Sequence, residues 1–387
     1  MFLICLRWAI LGAAILPLLS YVCVIFAARS FFRRQRAAPR DFTPPVSVLK
    51  PVHGLDTDAY ENFASFCWQD YPEYEVLFGA SNEQDAAIPV IRKLIADFPA
   101  LPIRLVATAE KLGSNDKVNK LCALARAAQH DFLVLSDADI RVGSGYLGSL
   151  ASPFRDAQVG AATSMFTGLP VRSLWPELEA ISISTDFMPA VLMARQVEGV
   201  RFALGATVAV RRQCLAEIGG FEALANEAAD DYQLGCRIAA RGHRVELVDG
   251  SVKTWCSLQS LREFYNQRLR WAIMARQARP LGYVGLIIAQ GLPWTVLAAI
   301  LAPTRLLAGS YVAAYLILRM AAVWTMSVWG LHDELLKRRW WLVPLWDAFA
   351  FVLWLNSLFW SRVGWRGVKY RISGGRLIPV ASHQDKA

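Results

Sequence analysis

The stretch Phe132-Leu-Val-Leu-Ser-Asp-Ala-Asp-Ile-Arg-Val142 decides how this chain is read. It opens with a short apolar run, Phe132 to Leu135, the pattern of a buried strand. At the strand's C-terminal end come two carboxylates, Asp137 and Asp139. Ligands of open α/β sheets bind beyond that end. Residues i and i+2 of an extended segment point the same way, so both acids are expected to face one ligand. Carboxylates held that close repel each other unless a cation lies between them or one keeps its proton. A hard divalent cation bridging them to a diphosphate is the economical explanation. The plainer alternative is a strand followed by an Asx-type turn, so the rest of the chain has to be weighed.

Outward from this strand, the pattern alternates. Val46 to Leu49, Glu75 to Ala80 and Ile103 to Ala107 read as strands; Leu55 to Phe66, Ile88 to Phe98 and Val118 to Ala128 read as helices. Such alternation predicts a mostly parallel, wound sheet covered on both faces. No G-x-x-x-x-G-K-[ST] stands at a strand end, which removes the main support for a P-loop site. Beyond the Asp pair the chain is less regular. Val159 to Phe166 and Ala203 to Val210 are expected strands, and Glu177 to Met193 an expected helix.

Composition sets the surroundings of this globular part. Hydrophobic residues make up 55% of the 387 and charged residues 19%, and the mean hydropathy is +0.31. These values suit a membrane protein carrying a soluble domain. Trp8 to Ala28 has no charged residue and is long enough to cross a bilayer. Arg29, Arg33, Arg34, Arg36 and Arg40 follow at once, which predicts an uncleaved anchor with this end in the cytoplasm. Leu281 to Ala302 and Leu306 to Leu331 are further spans, the second with Arg319 near its middle, where an ionisable side chain normally faces protein or water. Trp341 to Trp360, between Lys337-Arg338-Arg339 and the basic residues from Arg362 and Arg366 onward, is expected to be re-entrant or interfacial. The predicted organisation is an anchor with a basic juxtamembrane segment (1–40), a cytoplasmic catalytic domain (41–280) and a C-terminal membrane region with a basic tail (281–387). The net charge of +9 sits beside apolar segments, which favours anionic lipid over nucleic acid. Seven cysteines without a C-x-x-C pair fit a reducing compartment.

Three more motifs carry chemistry. Asp85 follows the second expected strand and suits a hydrogen bond to a base or ribose; alternatively it caps the helix that starts at Ile88. Ala229-Asp-Asp-Tyr232 places a carboxylate that can take a proton from an attacking hydroxyl, or simply opens a helix with favourable acids. In Gln267-Arg-Leu-Arg-Trp271, Arg270 can grip a diphosphate oxygen and Trp271 can face a sugar or an acyl chain; snorkelling on a membrane-surface helix is the alternative.

In this order the motifs resemble the pattern D, D-x-D, D, Q/R-x-x-R-W of membrane-bound, inverting glycosyltransferases with a GT-A fold. The chain is most similar to the ceramide glucosyltransferases (glycosyltransferase family 21, family-2-like) and their bacterial relatives, including the hopanoid N-acetylglucosaminyltransferase. Ser47-Val-Leu-Lys-Pro51 with Gly54, Gln69 to Val76, Lys117-Val-Asn119, Gly219-Gly220 and Asp230-Asp-Tyr232 also fit, and the resemblance covers roughly residues 44–280. It implies a UDP-sugar donor, a membrane-lipid hydroxyl as acceptor, and Mg2+ or Mn2+ held by Asp137 and Asp139. It implies Asp231 as general base. Asp85, Lys117, Asp137, Gln267, Arg270 and Trp271 would serve the nucleotide sugar. All of these would converge in one pocket opening toward the bilayer. The loop Ser81-Asn-Glu-Gln-Asp85 is less acidic than the family's, and Ala86 stands where a Pro is common. Glucose transfer to a ceramide-type lipid is the leading expectation. N-acetylglucosamine transfer to a hopanoid and sugar transfer to a polyprenyl phosphate are the alternatives. A processive polysaccharide synthase and a non-catalytic scaffold fit less well.

Overall fold

The computed structural model describes residues 1–37, 41–360, 362–365, 368–373 and 376–379. Arg40 and Arg366 of the basic clusters lie outside the described residues. The chain clusters into two compact units. A sheet unit comprises Gln35–Leu169, Glu198–Ser257 and Gly364–Ala387. A helical unit comprises Met1–Arg34, Pro170–Val197 and Leu258–Val363.

Among the described residues the main sheet of this unit has eight strands: β1 (Val46–Pro51), β2 (Tyr74–Ala80), β3 (Ile103–Ala107), β4 (Phe132–Ser136), β5 (Ile140–Val142), β6 (Val159–Pro170), β7 (Thr207–Arg211) and β8 (Arg244–Cys256). Their order is β3-β2-β1-β4-β7-β6-β8-β5. The first four run parallel. Parallel neighbours need crossover connections, supplied by Ala59–Ala64, Ile88–Asp97 and Asp116–Ala127. Leu49 is in register with both Leu77 and Leu135, so β1, β2 and β4 end along one edge. Beyond β4 the sheet turns antiparallel, β4 with β7, β7 with β6, and β5 with β8. Leu49, Leu77, Leu133 and Leu135 pack with Leu121 and Leu124 of the last crossover helix in the main core.

Three expected elements differ in extent. The helix expected from Leu55 begins at Ala59, because Gly54 (φ +69) and Asp58 (φ +59) hold left-handed backbone before it. The strand expected from Ala203 begins at Thr207, because Gly205 and Ala206 form a turn. The helix expected over Glu177–Met193 is two helices, Leu174–Ser182 and Met188–Glu198, joined by a π-helical turn at Ile183–Phe187.

Among the described residues two stretches are long and apolar enough to cross a membrane, Phe2–Arg36 and Arg305–Gly330. The span expected over Leu281–Ala302 is a bent pair, Pro280–Ala289 and Gly291–Leu301, meeting at 49°. Pro293 supplies no amide donor to the second helix's first turn. The Gly291 amide donates instead to the Tyr21 hydroxyl at 3.1 Å. A Cβ on Gly291 would meet that oxygen at 2.3 Å, so only glycine allows this approach. The helix Val343–Ser357 has 15 residues, about 22 Å, which is less than the ~30 Å hydrocarbon core.

Candidate active site

The edge where β1, β2 and β4 end carries the acids. Asp137 is the first residue past β4, and Ala138-Asp139 form a tight turn into β5. The two acids were expected to share a face through extended alternation; the turn brings them together instead, and the Ile140 amide closes back on the Asp137 carbonyl at 3.4 Å. Asp139 Oδ2 accepts from the Thr254 hydroxyl of β8 at 3.0 Å. Its carboxyl is pushed up to about 6, first by burial and then by the charge of Asp137.

The helix Asp116–Ala127 delivers Lys117 from its first turn. Asn115 caps that helix, its side chain accepting from the Lys117 and Val118 amides. Lys117 Nζ reaches Asp137 Oδ1 at 2.8 Å and Asp230 Oδ2 at 3.4 Å. Burial works against its charge, but Asp137, Asp230 and Asp231 outweigh this and hold it above the usual lysine range.

Asp231 lies in the first turn of the helix Asp230–Ala240, where the helix dipole favours an acid. Burial, followed by Asp230, pushes its carboxyl up to about 6, with Lys117 pulling the other way. Gly205 makes room for it: a Cβ there would stand 2.5 Å from Asp231 Oδ2 and 4.0 Å from Asp137 Oδ2. Asp137, Asp139, Asp231 and Lys117 therefore form one constellation within the sheet unit.

Two neighbours were not singled out from the sequence. Lys50, fully buried in β1, donates to the Asp137 carbonyl at 2.8 Å and lies 3.7 Å from the Phe66 ring centroid. Burial lowers it to about 7, against the pull of Asp139 and Asp137. The sequence signal was available: one ammonium in the apolar run Val46-Ser-Val-Leu-Lys50 of a central strand needs a buried partner. Asp230, overlooked in favour of Asp231, shares Lys117 and accepts from Asn115 Nδ2 at 3.2 Å.

Asp85 plays a different local part. The helix it would cap in the alternative reading has Ala87 at its N-cap, with no side-chain cap bond. Its carboxylate accepts from the Ala87 amide at 2.9 Å and from the Gly54 amide at 3.1 Å, tying the loop after β2 to the loop after β1. Gln267, Arg270 and Trp271 belong to the helical unit, on the helix Leu261–Ala278, and are half-buried. Gln267 Nε2 donates to Glu179 Oε1 at 2.5 Å. The Arg268 guanidinium lies over the Trp271 ring at 4.7 Å and the Trp346 ring at 5.4 Å.

Asp137 and Asp139 fit a hard divalent cation. They stand on one turn, the charge of Asp137 adds to burial in raising the Asp139 carboxyl, and each keeps an oxygen beyond those bonded to Lys117 and Thr254. Among the described residues no group of three or more His, Cys, Asp or Glu side chains gathers as a metal site.

The chain is 22% identical to ceramide glucosyltransferase 1 of Caenorhabditis elegans over 392 aligned positions, covering 98% of this chain and 82% of the relative. It is 30% identical to the ceramide glucosyltransferase of Gibberella zeae over 133 positions, which cover 32% of this chain and 25% of that protein. Among solved structures it is similar to the mannosyltransferase PcManGT from Pyrobaculum calidifontis in complex with GDP-Man and Mn2+, with 18% identity, a TM-score of 0.48 and coverage of 90% of this chain and 99% of that one. The family description "Glycosyl transferase family 21" matches residues 11–378. The mixed α/β sheet, the membrane-length helices and this near-complete match agree, and the chain is a glycosyltransferase belonging to family 21.

Proposed function

We propose that this glycosyltransferase moves a hexose, glucose in the first instance, from a UDP-sugar to the hydroxyl of a ceramide-type membrane lipid, with inversion, at the cytoplasmic face. The observation that carries the reading is the pairing of Asp231 with Asp137 around Gly205. A carboxyl pushed up to about 6 is matched to proton abstraction near neutral pH, and it stands beside the acid pair suited to a diphosphate.

In this reading Asp231 accepts the proton of the lipid hydroxyl as its oxygen attacks the anomeric carbon. The bond to the new glycosidic oxygen forms while the bond to the UDP oxygen breaks, and the electron pair leaves with UDP. One base and one attack invert the configuration, so an α-linked donor yields a β-glycoside. Asp137 and Asp139 would hold Mg2+ or Mn2+, which would supply positive charge for a diphosphate leaving group. Lys117, already held between Asp137 and Asp230, keeps positive charge beside that group. By the family pattern Arg270 and Gln267 take the diphosphate, Trp271 the sugar or acceptor, and Asp85 the nucleotide. Arg29, Arg33, Arg34 and Arg36, which follow the first apolar stretch, support a cytoplasmic location for this side.

The test is radiolabelled UDP-glucose incubated with membranes containing the chain. A chloroform-soluble neutral glycolipid is expected. An acid-labile lipid phosphate would favour a polyprenyl-phosphate acceptor, and a polar polymer a processive synthase. No product from any UDP-hexose would refute the proposal.

A further inference from the structure

Lys50 is the one ammonium in β1, a strand whose six residues are all buried. Side chains alternate along a strand. Leu49 packs in the main core with Leu121 and Leu124, so Lys50 points to the opposite face of the sheet, where Phe66 lies. The Phe66 ring centroid is 3.7 Å from Lys50 Nζ. That ring is fully buried and is braced edge-on by Tyr146, with centroids 5.5 Å apart. The Tyr146 hydroxyl is held in turn against Thr207 Oγ1 at 2.5 Å. The ammonium is thereby confined between a fixed aromatic face and the Asp137 carbonyl, to which it donates at 2.8 Å.

Packing does not account for a lysine here. A buried ammonium gives up its hydration and recovers little of it from one carbonyl and one ring face. Methionine or leucine would fill the same space at lower cost. What the ammonium holds gives the reason. The acid turn is tied firmly at its far end: the Asp139 carbonyl accepts from the Trp255 amide at 2.9 Å, and Asp139 Oδ2 from the Thr254 hydroxyl at 3.0 Å. At the near end the backbone ties are long. The Asp137 amide reaches the Ala206 carbonyl at 3.4 Å, and the Ile140 amide reaches the Asp137 carbonyl at 3.4 Å. The Lys50 bond is the short one at that end.

We infer that Lys50 is a positioning residue for the divalent cation: its N–H fixes the Asp137 carbonyl, and through it the turn that presents the Asp137 and Asp139 carboxylates to one ion. This rests on the cation reading above and deepens it. Lys50 acts through the Asp137 backbone, not on the ion. An amine donates with or without its extra proton, so the tie does not depend on the charge of Lys50.

The experiment titrates the full chain in lipid nanodiscs with Mn2+ in the presence of UDP and reads the free ion by electron paramagnetic resonance, with Tm measured alongside. Lys50→Met keeps the length and the apolar stem and removes the donor. It is expected to weaken Mn2+ binding about 10–100-fold, the range for losing a group that supports a metal ligand, with Tm unchanged or raised. Lys50→Gln keeps an N–H donor one atom short of the ammonium and is expected to lose less affinity than Lys50→Met. A role as mere charge predicts the opposite sign, because removing a cation beside two acids tightens Mn2+ binding. Unchanged or tighter binding in Lys50→Met would overturn the inference, and so would equal losses in the two variants. A fall in Tm alongside the lost affinity, or a Lys50→Met chain that fails to fold, would make Lys50 a general support of the core and overturn it as well. A wild-type chain that binds no Mn2+ would refute the cation reading itself, a separate result.

Discussion

Two groups of clustered charges, one in each unit, are balanced in opposite ways. In the sheet unit Asp137, Asp139, Asp230 and Asp231 gather around Lys117 and Lys50, and burial, followed by the neighbouring acids, raises the carboxyls of Asp139 and Asp231 to about 6. In the helical unit Arg319 is matched to Asp347 by a bidentate pair, with Tyr315 completing it and only Asp186 left partly open. An acid excess costs stability and creates demand for a cation or a proton. A closed pair tolerates neither loss nor gain of a partner. The first arrangement suits chemistry; the second holds helices together.

The largest expected effect tests the first group. Asp231→Asn is expected to cut transfer by about 10³-fold or more, the scale of a lost general base, with donor affinity within about threefold. Titration of donor binding alongside turnover checks this, and normal turnover would remove Asp231 from the role. Breaking the second group should act on stability instead. Arg319→Leu strands two carboxylates, which costs about 3–5 kcal/mol, read as a large drop in Tm of the detergent-solubilised chain. An unchanged Tm would mean the cluster is not holding the helices.

Gly205→Ala sharpens the contrast. The added Cβ meets the end of the Asp231 side chain at 2.5 Å, which can swing aside, so Tm should move little. The displaced carboxylate should cost about 10²-fold in kcat, as small misplacements of a catalytic group do. A fall in Tm with kcat retained would reverse the assignment.

The smallest effect is the pH response. Asp231 must be ionised to take a proton, and its folded value is raised to about 6. Activity should therefore fall as pH drops through about 6, roughly tenfold for each unit below it. The sign for stability is opposite. Between its ordinary value of 3.8 and about 6 the folded chain holds more protons than the unfolded chain. The stabilising contribution of this group is thus present at low pH and lost as pH rises through about 6. An acid limb centred near 4 would show that the burial of Asp231 does not persist with substrates bound.

Much of the sheet unit was legible from pattern. Apolar runs at Val46, Glu75 and Phe132 gave three of the parallel strands because these are buried on both faces, and the edge strand at Ile103, only partly buried, still carries a short apolar run. The helical unit was less so. The bend at Gln290 and the π-helical turn at Ile183–Phe187 depend on which side chain approaches from another helix, Tyr21 at Gly291 and Arg319 at Thr185. No local window contains both members of such a pair.

The residues themselves determined the alternation of strands and helices, the apolar membrane-length stretches and the identity of the acids, since periodicity, length and charge are local properties. Tertiary structure alone decided that Lys117 would sit between Asp137 and Asp230, that Lys50 would lie buried under the acid turn, and that Gly205 would leave space for Asp231. Those outcomes depend on strand order and register, which bring residues separated by scores of positions to one edge, and the resulting burial sets their charge states.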